Sequence, residues 1–299
     1  MFGVMIWSLK FSYWVTLALA VPTAGFLVRI FIILHDCTHG SFFKSQKAND
    51  ICGFFTGLFV FTPSAHWRHD HSVHHATSGD LDRRGVGDVP TWTVAEYQQA
   101  SRLKRLTYRV VRNPVTLFVV GPLYYFLLHQ RFPASHSGHR ERVNVLWTNL
   151  ALAAIIVIMS MTIGLKAYAL VQLPVILLAG SVGMWLFYVQ HQFEGVYWER
   201  REKWDFETQA IEGSSFYKLP KILQWFTGSI GFHHIHHLSP AIPNYYLEEC
   251  HRADETFRRV KTLTLISSLK SLSFRLWDED RRQLISFGEW KSLRQNSRN

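Results

Sequence analysis

The sequence predicts an all-α polytopic membrane protein, with about four transmembrane helices and a helical cytosolic cap. Three observations carry that prediction. Charge is segregated along the chain, the charge-poor stretches approach bilayer length, and the histidines cluster at helical spacings. The 299 residues are 48% hydrophobic and 15% aromatic, which excludes a disordered polymer. Three cysteines, Cys37, Cys52 and Cys250, exclude a small disulfide-stapled secreted fold. Mean hydropathy is +0.01, but that average mixes two unlike populations. Residues 1–35 carry only Lys10 and Arg29, residues 145–191 carry only Lys166, and all 22 acidic residues lie elsewhere. A soluble chain of this size rarely keeps a 47-residue stretch with one charge, whereas a polytopic membrane protein does so by necessity.

Taken in order, the spans are expected at about 5–21, 24–34, 146–165 and 167–190, within one domain covering 1–299. Pro22-Thr23-Ala24-Gly25 reads as the turn of the first hairpin, and Gly164-Leu165-Lys166 as that of the second. The first span is marginal, because about 20 apolar residues are needed to cross the hydrocarbon and Lys10 must snorkel. The chain starts almost inside that span, which reads as a missing N-terminal extension. Ala18-Leu19-Ala20 mimics a signal-peptidase site, but the apolar run continues to Leu34 without a polar mature start. The runs at 51–63 and 115–128 are too short to span and read as interfacial, re-entrant or core helices. Trp7, Trp14, Trp147, Trp185 and Trp225 fall near the proposed boundaries, where amphipathic rings settle. The tail, 252–299, reads as polar, partly helical surface.

The chain has 32 basic and 22 acidic residues, a net charge of +10. Region 36–144 holds 13 basic and 8 acidic residues and region 192–299 holds 16 and 14, while the short turns hold only Lys166. Positive charge marks the cytoplasmic side, so 36–144 and 192–299 read as cytosolic. The excess then faces anionic headgroups rather than nucleic acid.

Sixteen histidines are the oddest feature of the composition. His35 and His39 are four apart, and His71-Ser-Val-His74-His75 and His233-His234-Ile-His236-His237 repeat one HxxHH pattern 162 residues apart. Residues three and four apart share a helix face, so each set aims two or three imidazoles at one point. A structural zinc site needs fewer histidines and normally recruits cysteine. Imidazole suits zinc, copper, iron or nickel, so ligand type alone leaves the metal open. His191 ends the fourth span and, alone, reads as an ordinary helix-end residue. His129, His136, His139 and His251 belong to the same class, and Cys37 reads as a small packing residue.

The segments HDCTHGSFF, HSVHHATSGDLD and GFHHIHHLSPAIPNY resemble the histidine boxes of membrane fatty acid desaturases, in the same order and over essentially the whole chain. The resemblance is nearest to the bacterial acyl-lipid delta-12 (omega-6) branch. It implies four spans, a cytosolic cap and a non-haem di-iron centre of two Fe ions with O2 as co-substrate. It implies the ligands His35, His39, His71, His74, His75, His191, His233, His236 and His237, with His66, His69 and His234 outside the pattern. In acyl-CoA members an asparagine one turn before the isolated histidine helps hold an iron-bound water. Phe187 stands there in this chain, which leaves Gln190 as the expected substitute.

The implied reaction removes two hydrogens from neighbouring methylenes of a lipid acyl chain, leaving a cis double bond. The implied partners are the lipid bilayer and a separate electron donor, a ferredoxin or b-type cytochrome, in the bacterial inner membrane; the sequence carries no dinucleotide fingerprint or fused haem motif. Asp36, Asp70, Asp80, Asp82, Glu194 and Glu248 are the candidates to accept imidazole N–H bonds. Phe42, Phe43, Trp67, Trp185, Tyr188, Trp225, Phe226 and Phe232 are the candidate walls of an acyl tunnel. The same centre could hydroxylate, epoxidise or oxygenate a carotenoid. Outside enzymes, the pattern would fit a membrane metal-binding or transport protein.

Overall fold

The computed structural model describes residues 1–296 and is mostly helical. The helices are α1 (Phe2–Ser8), α2 (Tyr13–His39), α3 (Gln46–Phe59), α4 (Ser64–Thr77), α5 (Val94–Gln99), α6 (Arg102–Val111), α7 (Gly121–Leu127), α8 (His139–Thr162), α9 (Leu165–His191), α10 (Phe206–Glu212), α11 (Lys221–Phe226), α12 (His233–Leu238), α13 (Leu247–Ala253), α14 (Glu255–Arg258) and α15 (Phe287–Asn296). The strands are β1 (Trp92–Thr93), β2 (Phe216–Tyr217), β3 (Thr262–Leu263), β4 (Leu276–Asp278) and β5 (Gln283–Ile285). They form a three-stranded sheet β1-β4-β5, parallel then antiparallel, and a parallel pair β2-β3.

Three helices, α2, α8 and α9, are long and apolar enough to cross a membrane, or up to four if Arg102–Val111 and Thr116–Arg131 count as one bent span. In the second hairpin α8 and α9 are joined at Ile163 and Gly164, so Leu165 and Lys166, read as part of the turn, already belong to α9. The first differs. No turn forms at 22–25; one 27-residue helix runs from Tyr13 to His39 with Pro22 inside it. Proline removes one backbone donor, but an apolar surrounding makes every further broken helix bond costly, so the chain keeps its helix through the lesion. The Thr23 hydroxyl donates to the Leu19 carbonyl at 2.7 Å, one turn back. The segment expected to begin the first span is the separate short helix α1, and the expected two spans at 5–21 and 24–34 merge into α2.

The chain packs as two compact units. The first comprises residues 1–70, 118–184 and 225–228. In it Met5, Ala20, Val171 and Val175 form one apolar cluster and Phe61, Leu152 and Ile176 another. Ile156, Val157, Ile158 and Met161 of α8 are exposed, as befits a helix whose solvent is hydrocarbon. Close packing needs small residues: a Cβ on Gly25 would lie 2.9 Å from the Phe226 ring, so α2 approaches α11 only because that position is bare. Helix α2 stops at Gly40, whose φ of +73° lets its N–H reach back to the Asp36 and Cys37 carbonyls.

The second unit comprises residues 71–117, 185–224 and 229–299, of which the last three lie outside the described residues. Its core is Tyr97, Tyr108, Leu276, Ile285 and Trp290, with Phe232, Ile235 and Leu247 in a neighbouring cluster. The tail is therefore not surface alone: β4 and β5 bury Leu276, Trp277, Leu284 and Ile285. Strands of two or three residues are too short to show alternation, which hides them among the charges around them.

Candidate metal centre

Helix α12 is only six residues long, and its sequence, His-His-Ile-His-His-Leu, has no residue of high helix propensity before Leu238. Its stability comes from burial: His233, His234, Ile235, His236 and His237 are all buried. The HxxHH spacing puts His233, His236 and His237 on one face. Helix α4 repeats the device with His71, His74 and His75, all buried, and α9 delivers His191 as its last residue.

Four of these imidazoles, His74, His191, His233 and His237, each offer a ligand nitrogen within 4.8 Å of the others. The contacts are Nε2 to Nε2: 3.2 Å between His74 and His191, 2.9 Å between His191 and His233, and 3.1 Å between His233 and His237. Donors about 2.1 Å from a shared ion in tetrahedral array would be about 3.4 Å apart, so the spacing is that of a ligand cage. The outer nitrogens point the same way. Asp88 accepts from His74 Nδ1 at 2.7 Å, and the Gly213 carbonyl accepts from His191 Nδ1 at 3.2 Å. A proton on Nδ1 leaves a lone pair on Nε2, directed inward. Burial, reinforced by His75, His233, His191 and His74, holds His237 well below the ordinary imidazole range, so it is neutral. Converging lone pairs in a dry site repel one another unless a cation lies between them; the donor set therefore fits a transition-metal ion.

His71, His75 and His236 form a second group in the same unit, also within 4.8 Å by ligand atoms. His71 and His75 meet at 3.1 Å, Nε2 to Nε2. The two groups are joined where His75 stacks on His237, ring centroids 4.2 Å apart. In the first unit, His35 and His39 share the last turn of α2, their rings 4.8 Å apart, and His35 Nδ1 faces Asp36 Oδ1 at 3.0 Å.

Among the six carboxylates expected beside the rings, Asp36 meets a box histidine. Asp70 faces His136 instead. Asp80 is fully buried and folds its own loop, accepting from the N–H groups of Asp82 and Arg83 and from the Arg83 side chain. Asp82 pairs with Arg200, Glu194 with Lys270, and Glu248 with Lys221 and Arg252. Sequence reasoning missed Asp88, which lies 14 residues beyond His74 in a Gly-rich loop; its signal was weak, a lone acid after Arg83-Arg84-Gly85. It also missed Gly213. That carbonyl is positioned by Gln209, which packs against both Gly79 and Gly213 and donates to the Ser78 hydroxyl at 3.0 Å.

Phe187, marked by the sequence as a departure, packs on His74 and His191 at ring distances of 4.9 and 5.2 Å. Gln190 donates its amide to the Ile230 carbonyl at 2.8 Å, which ties α9 to the segment before α12. Of the expected tunnel walls, Trp67 packs 5.8 Å from His35, Phe42 and Phe43 pair edge to face, and Trp225 and Phe226 pack on Phe26. Phe232 stacks on Phe216, and Trp185 donates to the Tyr217 hydroxyl. Tyr188 sits in a polar net: its hydroxyl donates to the Ser271 carbonyl at 3.0 Å beside fully buried Arg112, which binds Gln192 and the Phe274 carbonyl.

The profile of the family described as "Fatty acid desaturase" matches residues 12–265. The chain belongs to the fatty acid desaturase family, a family of oxidoreductases. A fatty acid desaturase of Bacillus subtilis is 54% identical over 96% of this chain and 81% of its own length. An sn-1 oleoyl-lipid 12-desaturase of Synechocystis is 25% identical over 77% of this chain, and an sn-2 acyl-lipid omega-3 desaturase (ferredoxin) of Arabidopsis thaliana is 29% identical over 75%. The chain spans 65% of the Synechocystis relative and 51% of the Arabidopsis one. Family membership, apolar helices and histidine clusters together make this a membrane oxidoreductase with residues able to hold metal.

Proposed function

We propose that the protein is an O2-dependent desaturase that places a cis double bond, of delta-12 (omega-6) type, in a lipid-linked acyl chain. The observation that carries this is the buried four-imidazole cage of His74, His191, His233 and His237 in a desaturase-family chain. The proposed ligands to two non-haem irons are His35, His39, His71, His74, His75, His191, His233, His236 and His237. When bound, that centre supplies the oxidising power that no side chain has. Two electrons from the acyl chain and two from the donor reduce O2 to two waters.

The chain's own residues do the rest. Asp88 and the Gly213 carbonyl hold His74 and His191 in the tautomer that presents Nε2. Phe187 covers both rings with an apolar face and keeps bulk water from them. The oleoyl-lipid relative supports an acyl-lipid substrate, and the ferredoxin named for the Arabidopsis relative supports a ferredoxin as donor, with a b-type cytochrome as the other candidate. The charge distribution supports a cytoplasmic site in the bacterial inner membrane.

The test is expression in a host that makes oleate but no linoleate, followed by gas chromatography of its lipids. A new delta-12 double bond is expected. Product carrying oxygen from labelled O2 would instead establish hydroxylation or epoxidation. Metal analysis with Mössbauer spectroscopy should find two coupled irons per chain; zinc alone would end the redox reading.

A further inference from the structure

Helix α4 carries donor groups besides its HxxHH set. His69 and Asp70 lie just before His71, and the chain between Arg131 and α8 brings His136 beside them. His69, Asp70 and His136 each offer a ligand atom within 4.8 Å of the other two, all in the first unit. His136 Nε2 lies 3.1 Å from Asp70 Oδ1, and the His69 and His136 rings are 5.1 Å apart, tilted by 31°.

The turn that carries His136 is held in place. Ser137 donates its N–H to the Ala134 carbonyl at 3.0 Å, Arg142 Nε donates to the Ser137 carbonyl at 2.9 Å, and the Ser137 hydroxyl meets His66 Nδ1 at 3.3 Å. His66 sits one turn before His69 on α4, is fully buried, and its Nε2 has no hydrogen-bond partner among the described residues. An ordinary Asp–His ion pair would use one imidazole. Here a second imidazole shares the carboxylate's surroundings, and both rings are exposed enough to turn.

We propose that His69, Asp70 and His136 form a separate binding site for a divalent cation of the Zn2+ class. Two imidazoles and one carboxylate are a three-ligand set that leaves the fourth, solvent-facing position to water. The 3.1 Å approach of His136 to Asp70 is close to the edge of about 3.3 Å expected between two donors on one zinc ion. Burial holds the neighbouring His66 below the ordinary imidazole range, so it adds no positive charge behind the site. A bound ion would clasp the 135–136 turn onto α4.

The test uses the purified full chain. Wild type and His136→Ala are saturated with Zn2+, freed of excess, and their total metal is measured. Wild type should hold one more ion per chain than His136→Ala. His69→Ala should show the same loss, and His136→Cys, which keeps a zinc ligand, should recover the ion. Zn2+ should also raise the unfolding midpoint of wild type more than that of His136→Ala. Whatever ion the buried cage holds is common to all four proteins and cancels in the difference. Equal metal in wild type and His136→Ala, or full uptake by His69→Ala, would overturn the proposal.

Discussion

At the scale of single residues, the four-imidazole group of His74, His191, His233 and His237, which could hold a metal ion, is oriented by the groups around it. His74 presents Nε2 because Asp88 accepts a hydrogen bond from Nδ1–H and so keeps the proton on that nitrogen. Asp88→Asn should therefore weaken metal binding about 10–100-fold, the usual cost of losing an outer partner. Asp82→Asn and Glu194→Gln, whose partners are Arg200 and Lys270, should leave it near the wild-type value. Titration of apo-protein with Fe2+ under nitrogen separates these cases. His237→Ala removes a cage corner and should abolish turnover, with metal content falling in the same sample. Asp36 was legible beside His35 because the two are adjacent in sequence. Asp88 was not, because it lies 14 positions beyond His74, past the end of α4 and a loop, and nothing in composition records where a loop returns.

At the scale of elements, α2 is the instructive case. Pro22 reads as a turn, yet the helix runs through it from Tyr13 to His39. If Pro22 ended a helix, alanine there would remove a needed break. Inside a helix, Pro22→Ala restores a backbone donor and should leave the unfolding midpoint equal to or above wild type, measured by thermal unfolding in detergent. Gly79 makes the opposite case. Its φ is +72°, and a Cβ would collide with the Gln209 side-chain amide. Gly79→Ala should cost about 1–3 kcal/mol and, by moving Gln209, loosen the Gly213 carbonyl under His191. The HxxHH helices were readable because the 3.6-residue period appears directly in the spacing of His71, His74 and His75.

At the scale of the whole molecule, the second unit depends on a tail that contains no cage ligand. Leu276, Ile285 and Trp290 pack with Tyr97 and Tyr108, and Arg112 binds the Phe274 carbonyl. Deleting residues 254–299 keeps every proposed ligand, yet it should leave the protein unable to bind metal or fold to a monodisperse species on size-exclusion chromatography. A chain whose centre needed only the boxes would survive the cut.

Two kinds of information separate in this protein. The membrane class, the charge-poor helices, the histidine faces and the family are written locally, because hydrophobic transfer and helical period act on neighbouring residues and show in composition and spacing. The continuity of α2 through Pro22, the choice of Asp88 and Gly213 to orient the rings, the place of Phe187 over His74 and His191, and the core role of the tail were settled by tertiary structure alone. Each depends on which distant segment comes within contact distance, and close packing decides that from the sum of many small contacts rather than from any short run of sequence.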